Sequence, residues 1–122
     1  MVTRDFQIFV VRYVGEITSG KSMDIAICMN EIVLGDNPFL GCEHTGDWGK
    51  LEALFPDADI DFLKHWCEAV RKDFCSPDTN AVVQEALKNC STNIDVSVSR
   101  LTLNATDDPG AEMKKLFQAH SR

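Results

Sequence analysis

The sequence predicts an α+β fold, an antiparallel sheet of three or more strands with helices packed on one face. Three observations carry that expectation. Residues 23–34, MDIAICMNEIVL, form the most apolar run of the chain, with Ile25, Ala26, Ile27, Cys28 and Met29 consecutive; such a run suits a strand covered on both faces, although periodicity by itself also allows a buried helix. Residues 5–14 and 94–104 alternate apolar and polar side chains for much of their length, the period of a strand. Three further segments repeat apolar residues at helical spacing. With 122 residues, the chain has the length of one domain, 1–122, built on one core.

In chain order, Phe6, Ile8 and Val10, then Val11 and Tyr13, make the first strand, which stops near Gly15. Residues 15–22 connect it to the apolar run, a length that fits an antiparallel pair with an exposed loop. That run is expected to continue through Ile32, Val33 and Leu34 to Gly35. Residues 35–48, rich in Gly, Asn, Asp and Pro, read as a long loop. A short helical turn over 48–55 is closed by Pro56, and Asp57 or Asp59 then caps a stronger helix reaching about Phe74. Its inward stripe is Ile60, Leu63, Trp66, Cys67, Val70 and Phe74. Ser76, Pro77 and Asp78 break the chain before a helix over 80–89 carrying Val82, Val83, Ala86 and Leu87. In the last strand Ile94, Val96 and Val98 alternate, but the phase shifts before Leu101 and Leu103, as a bulge near Ser99 and Arg100 would cause. Asp107, Asp108 and Pro109 start a final helix that turns Met113, Leu116, Phe117 and His120 inward.

Composition narrows the function. Apolar residues are 44% and charged residues 25% of the chain, an ordinary globular balance. Twelve Lys and Arg against nineteen Asp and Glu give a net charge of −7, which disfavours a phosphate footprint and direct nucleic-acid binding and leaves a basic partner open. The start MVTRDF does not read as a secretory leader, so none is expected, and no run approaches the ~20 apolar residues of a membrane span. Five cysteines, an odd number, lie mostly among apolar neighbours and read as reduced thiols of a cytoplasmic protein.

Three patterns imitate chemical sites. Gly15, Gly20, Lys21 and Ser22 match the phosphate-loop spacing G-x-x-x-x-G-K-[ST] after an apolar strand. In such a loop backbone N–H groups, a lysine and a hydroxyl hold phosphates and Mg²⁺ at the start of a helix. Here Glu16, Ile17, Thr18 and Ser19 occupy the variable positions and a strand is expected next, so an ordinary polar loop is favoured. Cys42 with His44, and His65 with Cys67, suggest zinc; on a helix, however, His65 and Cys67 point to nearly opposite faces, and no metal is expected. Asp57, Asp59, Asp61 and Glu68 imitate a calcium loop with Phe62 where the turn needs glycine, so helix-start acids are the better account. No cofactor is expected.

The order FQIFVVRYV, a loop, SMDIAICM, DWGKLEALFPDADIDFL and finally SVSRLTLNATDDPGAEMKKLFQ resembles the bacterial family called domain of unknown function 3037 (DUF3037). In that family a strand with an R-[YF]-x-P-like end precedes a segment like E-x-x-N-[IV]-G-V-[VL], and a strand, a D-P turn and a helix close the chain. Here Lys21 stands in place of the acidic residue, Asp24 in place of the asparagine and Ala26 in place of the glycine. The resemblance implies that a strand comes directly after Ser22 and that the phosphate-loop match is accidental. It also implies a bacterial operon of the toxin–antitoxin or phage-defence kind, since members are often encoded beside HipA-like kinases. A protein partner, with such a kinase as the candidate, is therefore favoured over an enzyme, an analogy from gene order rather than a physical argument.

Two functional expectations result. The first is a non-catalytic protein-interaction module that uses an exposed sheet face or the 35–48 loop, with Arg12, Tyr13, Asp24 and Arg100 as candidate contacts. The second is a small nucleotide-binding enzyme or metal-assisted hydrolase using Gly15, Gly20, Lys21 and Ser22, with Asp24 and Glu31 as its carboxylates. No Ser/His/Asp or Cys/His set is predicted to converge, since His44, His65 and His120 are scattered.

Overall fold

A computed structural model describes residues 2–15, 20–33, 37–90 and 93–120, with 119 and 120 as backbone only. Strands β1 (Thr3–Tyr13), β2 (Met23–Glu31) and β3 (Leu40–His44) come first, followed by helices α1 (Trp48–Leu54), α2 (Ile60–Phe74) and α3 (Asn80–Lys88). Strand β4 (Ile94–Asn104) and helix α4 (Pro109–His120) complete the order. The strands form one antiparallel sheet, ordered β3-β2-β1-β4.

Local chemistry sets the helix ends. Asp47 caps α1 by accepting the Lys50 N–H, and Asp59, not Asp57, caps α2 by accepting the Phe62 N–H at 3.1 Å. Asp108 accepts the Gly110 N–H in the first turn of α4. These carboxylates satisfy orphan amides and meet the positive end of each helix dipole. The inward stripe of α2 is as expected, with Leu63, Cys67, Val70 and Phe74 buried. On α3 only Val83 and Leu87 of the apolar set are buried, while Val82 is 70% exposed.

The antiparallel sheet with helices packed against it is as expected, but the helices are shared between its two faces. Phe9, Val11, Ala26 and Cys28 face α1, α2 and α3, in a core with Leu51, Leu63 and Phe74. Phe6, Ile8, Val10, Ile27 and Met29 face the other way and are covered by Met113, Leu116 and Phe117 of α4. Residue 41 must be small for α4 to come this close: a Cβ on Gly41 would lie 2.8 Å from the Phe39 ring and 3.1 Å from Met113 Cε. Burial on both sides explains why β2 reads as a continuous apolar run.

The same division corrects the reading of β4. Its register with β1 is unbroken from Thr3↔Asn104 to Tyr13↔Ile94, so no bulge lies at Ser99 and Arg100. The phase shift instead marks a change of buried face: Ile94 and Val96 pack with the three-helix core, Leu101 and Leu103 with α4. The sheet's irregularity is elsewhere. Val11 pairs with Ala26 but Arg12 pairs with Asp24, leaving Ile25 as the extra residue of a bulge in β2.

Two further expectations change. The 35–48 segment contains β3, which pairs with β2 from Ala26↔His44 to Asn30↔Leu40. Strand pairing here overrides turn-forming composition, because the edge of β2 offers backbone groups that need partners. β2 ends at Glu31 rather than running on, with Ile32 and Val33 exposed; Leu34 and Gly35 lie outside the described residues, as do Glu16, Ile17, Thr18, Ser19 and the His120 side chain. No helix among the described residues is long and apolar enough to cross a membrane.

Candidate functional site

The sheet presents two features to a ligand or partner, a cleft at one end and an open edge along β4. The cleft forms where β1 stops and β4 starts, tied together by the Val14 N–H donating to the Asn93 carbonyl at 2.9 Å. Its larger part, about 320 Å³, is walled by Tyr13, Phe55 and Pro56, with Lys21, Asp57 and Asn93 as polar groups. Its smaller part, about 230 Å³, shares Tyr13, Asp57 and Asn93 and adds Asp59, Phe62 and Leu63. Tyr13 and Phe55 meet edge to face at 4.9 Å, a favourable aromatic geometry. Gly15 holds the chain beneath Phe55 with φ +58°, where a Cβ would come within 2.6 Å of that ring. Only glycine adopts this conformation freely and leaves that space.

Of the interaction candidates, Tyr13 is thus in the cleft and Arg100 is exposed on β4. Arg12 and Asp24 are paired with each other: Arg12 Nε donates to Asp24 Oδ1 at 2.9 Å, and the Asp24 side chain is 4% exposed. The bulge at Ile25 makes this possible, because an unbroken register would place Ile25 opposite Arg12. A buried carboxylate requires such a partner. The pair is therefore an element of the fold, with only the Arg12 side offered to solvent.

Of the phosphate-loop candidates, Gly15 and Lys21 line the cleft, and Lys21 and Ser22 are exposed. Ser22 leads directly into β2, whose first residue Met23 pairs with Tyr13. A strand commits its amides to the ladder, whereas a phosphate loop needs the free N–H groups of a helix start. Glu31, the other carboxylate of the enzyme reading, lies well away in the register, opposite Phe6. It receives Arg4 Nη2 at 2.8 Å and Nε at 2.9 Å, and the Phe39 N–H at 3.0 Å. The hydrogen bonds from Arg4 lead in holding its pKa below the ordinary value, against burial, which pushes it up. This is a closed structural fork.

The cysteines are free thiols. Cys28 and Cys42 are cross-strand partners with sulfurs 3.0 Å apart, and their contact together with burial raises the Cys28 pKa well above the ordinary thiol value. Burial pushes Cys67 up to about 12. Thiols held protonated are poor nucleophiles and poor metal ligands. His65 Nδ1 bonds the Asp61 carbonyl at an exposed position while Cys67 is buried, on different sides of α2. Among the described residues no group of three His, Cys, Asp or Glu side chains is placed to hold a metal ion.

The second feature is the edge. β4 ends the sheet order, and among the described residues its outer side has no strand neighbour. Val14 with Asn93 and Val2 with Ala105 are hydrogen-bonded pairs at the two ends of an unbroken register. Odd residues of β4 therefore bond to β1, and Val96, Val98, Arg100 and Thr102 turn their backbone N–H and C=O groups outward. Eleven residues long, β4 contains no Pro, Lys or bulge, and Val98 is 44% exposed. The opposite edge strand, β3, is only five residues long and has α2 packed against it. Natural sheets ordinarily blunt an edge by such shortening or cover. The fold protects one edge and leaves the other open.

Sequence reasoning placed Asp57 and Asp59 only as helix-start acids and did not single out Phe55 or Asn93. Nothing in the linear pattern joins residues 13, 57–63 and 93, which meet only because β1 and β4 are neighbours. The model of a family described as "Protein of unknown function (DUF3037)" matches residues 9–120. No curated protein and no solved structure matches the chain.

Proposed function

The chain belongs to the DUF3037 family, and from that premise we propose that it is a non-catalytic protein-interaction module that receives an extended segment of its partner as an added strand on β4. The single supporting observation is the long, unguarded edge, whose outward N–H and C=O groups at Val96, Val98, Arg100 and Thr102 form a template for strand addition. Main-chain bonds would supply affinity there, while exposed Val98 and Arg100 supply selectivity. The location proposed is the bacterial cytoplasm. The partner to test first is a HipA-like kinase encoded in the same operon, of the toxin–antitoxin or phage-defence kind, an assignment by analogy.

A nucleotide-binding or hydrolytic role is the competing reading, and it has less support. Lys21 and Ser22 lead into a strand, and Asp24 and Glu31 are each occupied by an arginine. The discriminating experiment is co-purification of the chain with the kinase, repeated with Val98→Pro. Position 98 turns its N–H away from β1, so proline there removes no ladder bond of the fold but blocks an incoming strand. A complex formed by the parent chain and lost in Val98→Pro, with melting temperature nearly unchanged, is the expected result. A complex indifferent to both Val98→Pro and Val98→Lys would refute strand addition at β4.

A further inference from the structure

We propose that the smaller part of the cleft is a binding site for an organic cation, a guanidinium or primary ammonium group on an aliphatic stem. The reasoning is independent of the open edge. Asp57 and Asp59 line this cavity, and among the described residues no basic side chain lines it, since Lys21 borders only the larger part. Asp59 Oδ1 is engaged by the Phe62 N–H, while its Oδ2 accepts no hydrogen bond among the described residues. Helix capping thus leaves half of that carboxylate for a ligand.

Tyr13 points to a ligand independently. It is only 9% exposed and lines both parts of the cleft, yet its hydroxyl has no hydrogen-bond partner among the described residues. No buried side-chain oxygen there lacks a partner, so this hydroxyl is one that the cavity reaches. The side chain as a whole is largely buried while its hydroxyl opens on the cavity, so a partner for that hydroxyl comes from what the cavity holds. Phe62 is 59% exposed at the mouth, a large ring turned to solvent in the first turn of α2. Beside two carboxylates an aromatic face attracts a cation, while Leu63 and Ile94 give apolar surface to its stem. The net charge of −7 favours the approach of a cation over that of an anion.

The test is a titration of the ¹⁵N-labelled chain with agmatine, with an acetylated and amidated Ala-Arg-Ala peptide, and with an uncharged amide of agmatine's length. Saturable shifts at residues 13, 57–63 and 93–94 with the cations, and none with the amide, are expected. Asp57→Asn, or Asp59→Asn, which retains a capping side chain, weakens agmatine binding about three- to tenfold. Tyr13→Phe weakens it about fivefold while leaving the melting temperature unchanged, because no bond within the protein is lost. Binding of both cations assigns an arginine side chain as a sufficient source, and binding of agmatine alone assigns a free amine. Shifts scattered over the acidic surface, equal binding of the amide, or agmatine affinity unchanged in an Asp57→Asn, Asp59→Asn double variant would overturn the site.

Discussion

Arg4→Met is expected to remove a pH-dependent part of the stability, and the structure fixes both its size and its sign. Arg4 donates two hydrogen bonds of 2.8 and 2.9 Å to Glu31, whose side chain is 8% exposed, and its guanidinium lies 5.4 Å from the centre of the Phe6 ring. Breaking a fully buried pair costs about 3–5 kcal/mol. Here the Arg4 side chain is 30% exposed, so solvent recovers part of the loss. The Phe39 N–H also remains on Glu31. The expected cost is about 1–2 kcal/mol near neutral pH, toward the upper end of what exposed pairs contribute. Arg4 holds the pKa of Glu31 below its ordinary value in the folded chain. The contribution is therefore complete above the unfolded value of about 4.3 and is lost as pH falls through the lower folded value. Urea unfolding of both proteins across this range measures it. The gap between them should be constant near neutrality and close below about pH 4. A gap of the same size at pH 3 and pH 7, or a double-mutant cycle with Glu31→Gln showing no coupling, would refute the argument.

Ile27→Ala should cost about 2–5 kcal/mol in urea unfolding, since Ile27 is fully buried between the sheet and α4; a loss below about 1 kcal/mol would mean that α4 does not cover that face. Gly15→Ala should destabilise by more than 1 kcal/mol, roughly, because it combines a positive φ with a clash against Phe55; near-neutral behaviour in thermal melts would contradict the packing of the cleft. ATP or GTP with Mg²⁺ should leave the melting temperature unchanged, because the chain enters β2 directly after Ser22. Calorimetric nucleotide binding abolished by Lys21→Ala would move the chain into the enzyme class.

The sequence by itself determined most of the elements, β3 excepted. Alternation of period two located β4 at its observed residues, and the 3.6-residue repeat found α2 with its buried stripe, because both periods are set by the backbone of the element alone. Asp59 and Asp108 were legible as helix starts for the same local reason, although the choice between Asp57 and Asp59 was not. The tertiary structure decided which face each element serves. The shift before Leu101 looked like a bulge because a strand with one buried side needs one, whereas a sheet covered on both sides lets β4 change its buried face without breaking register. β3 was hidden in turn-forming composition and exists because β2 offers it a ladder. Arg12 finds Asp24 only through the bulge at Ile25, and Tyr13 finds Asp57 and Asn93 only because the beginning of β4 lies against the end of β1. Pairing register and layer assignment depend on contacts between residues far apart in the chain, and no local period encodes them.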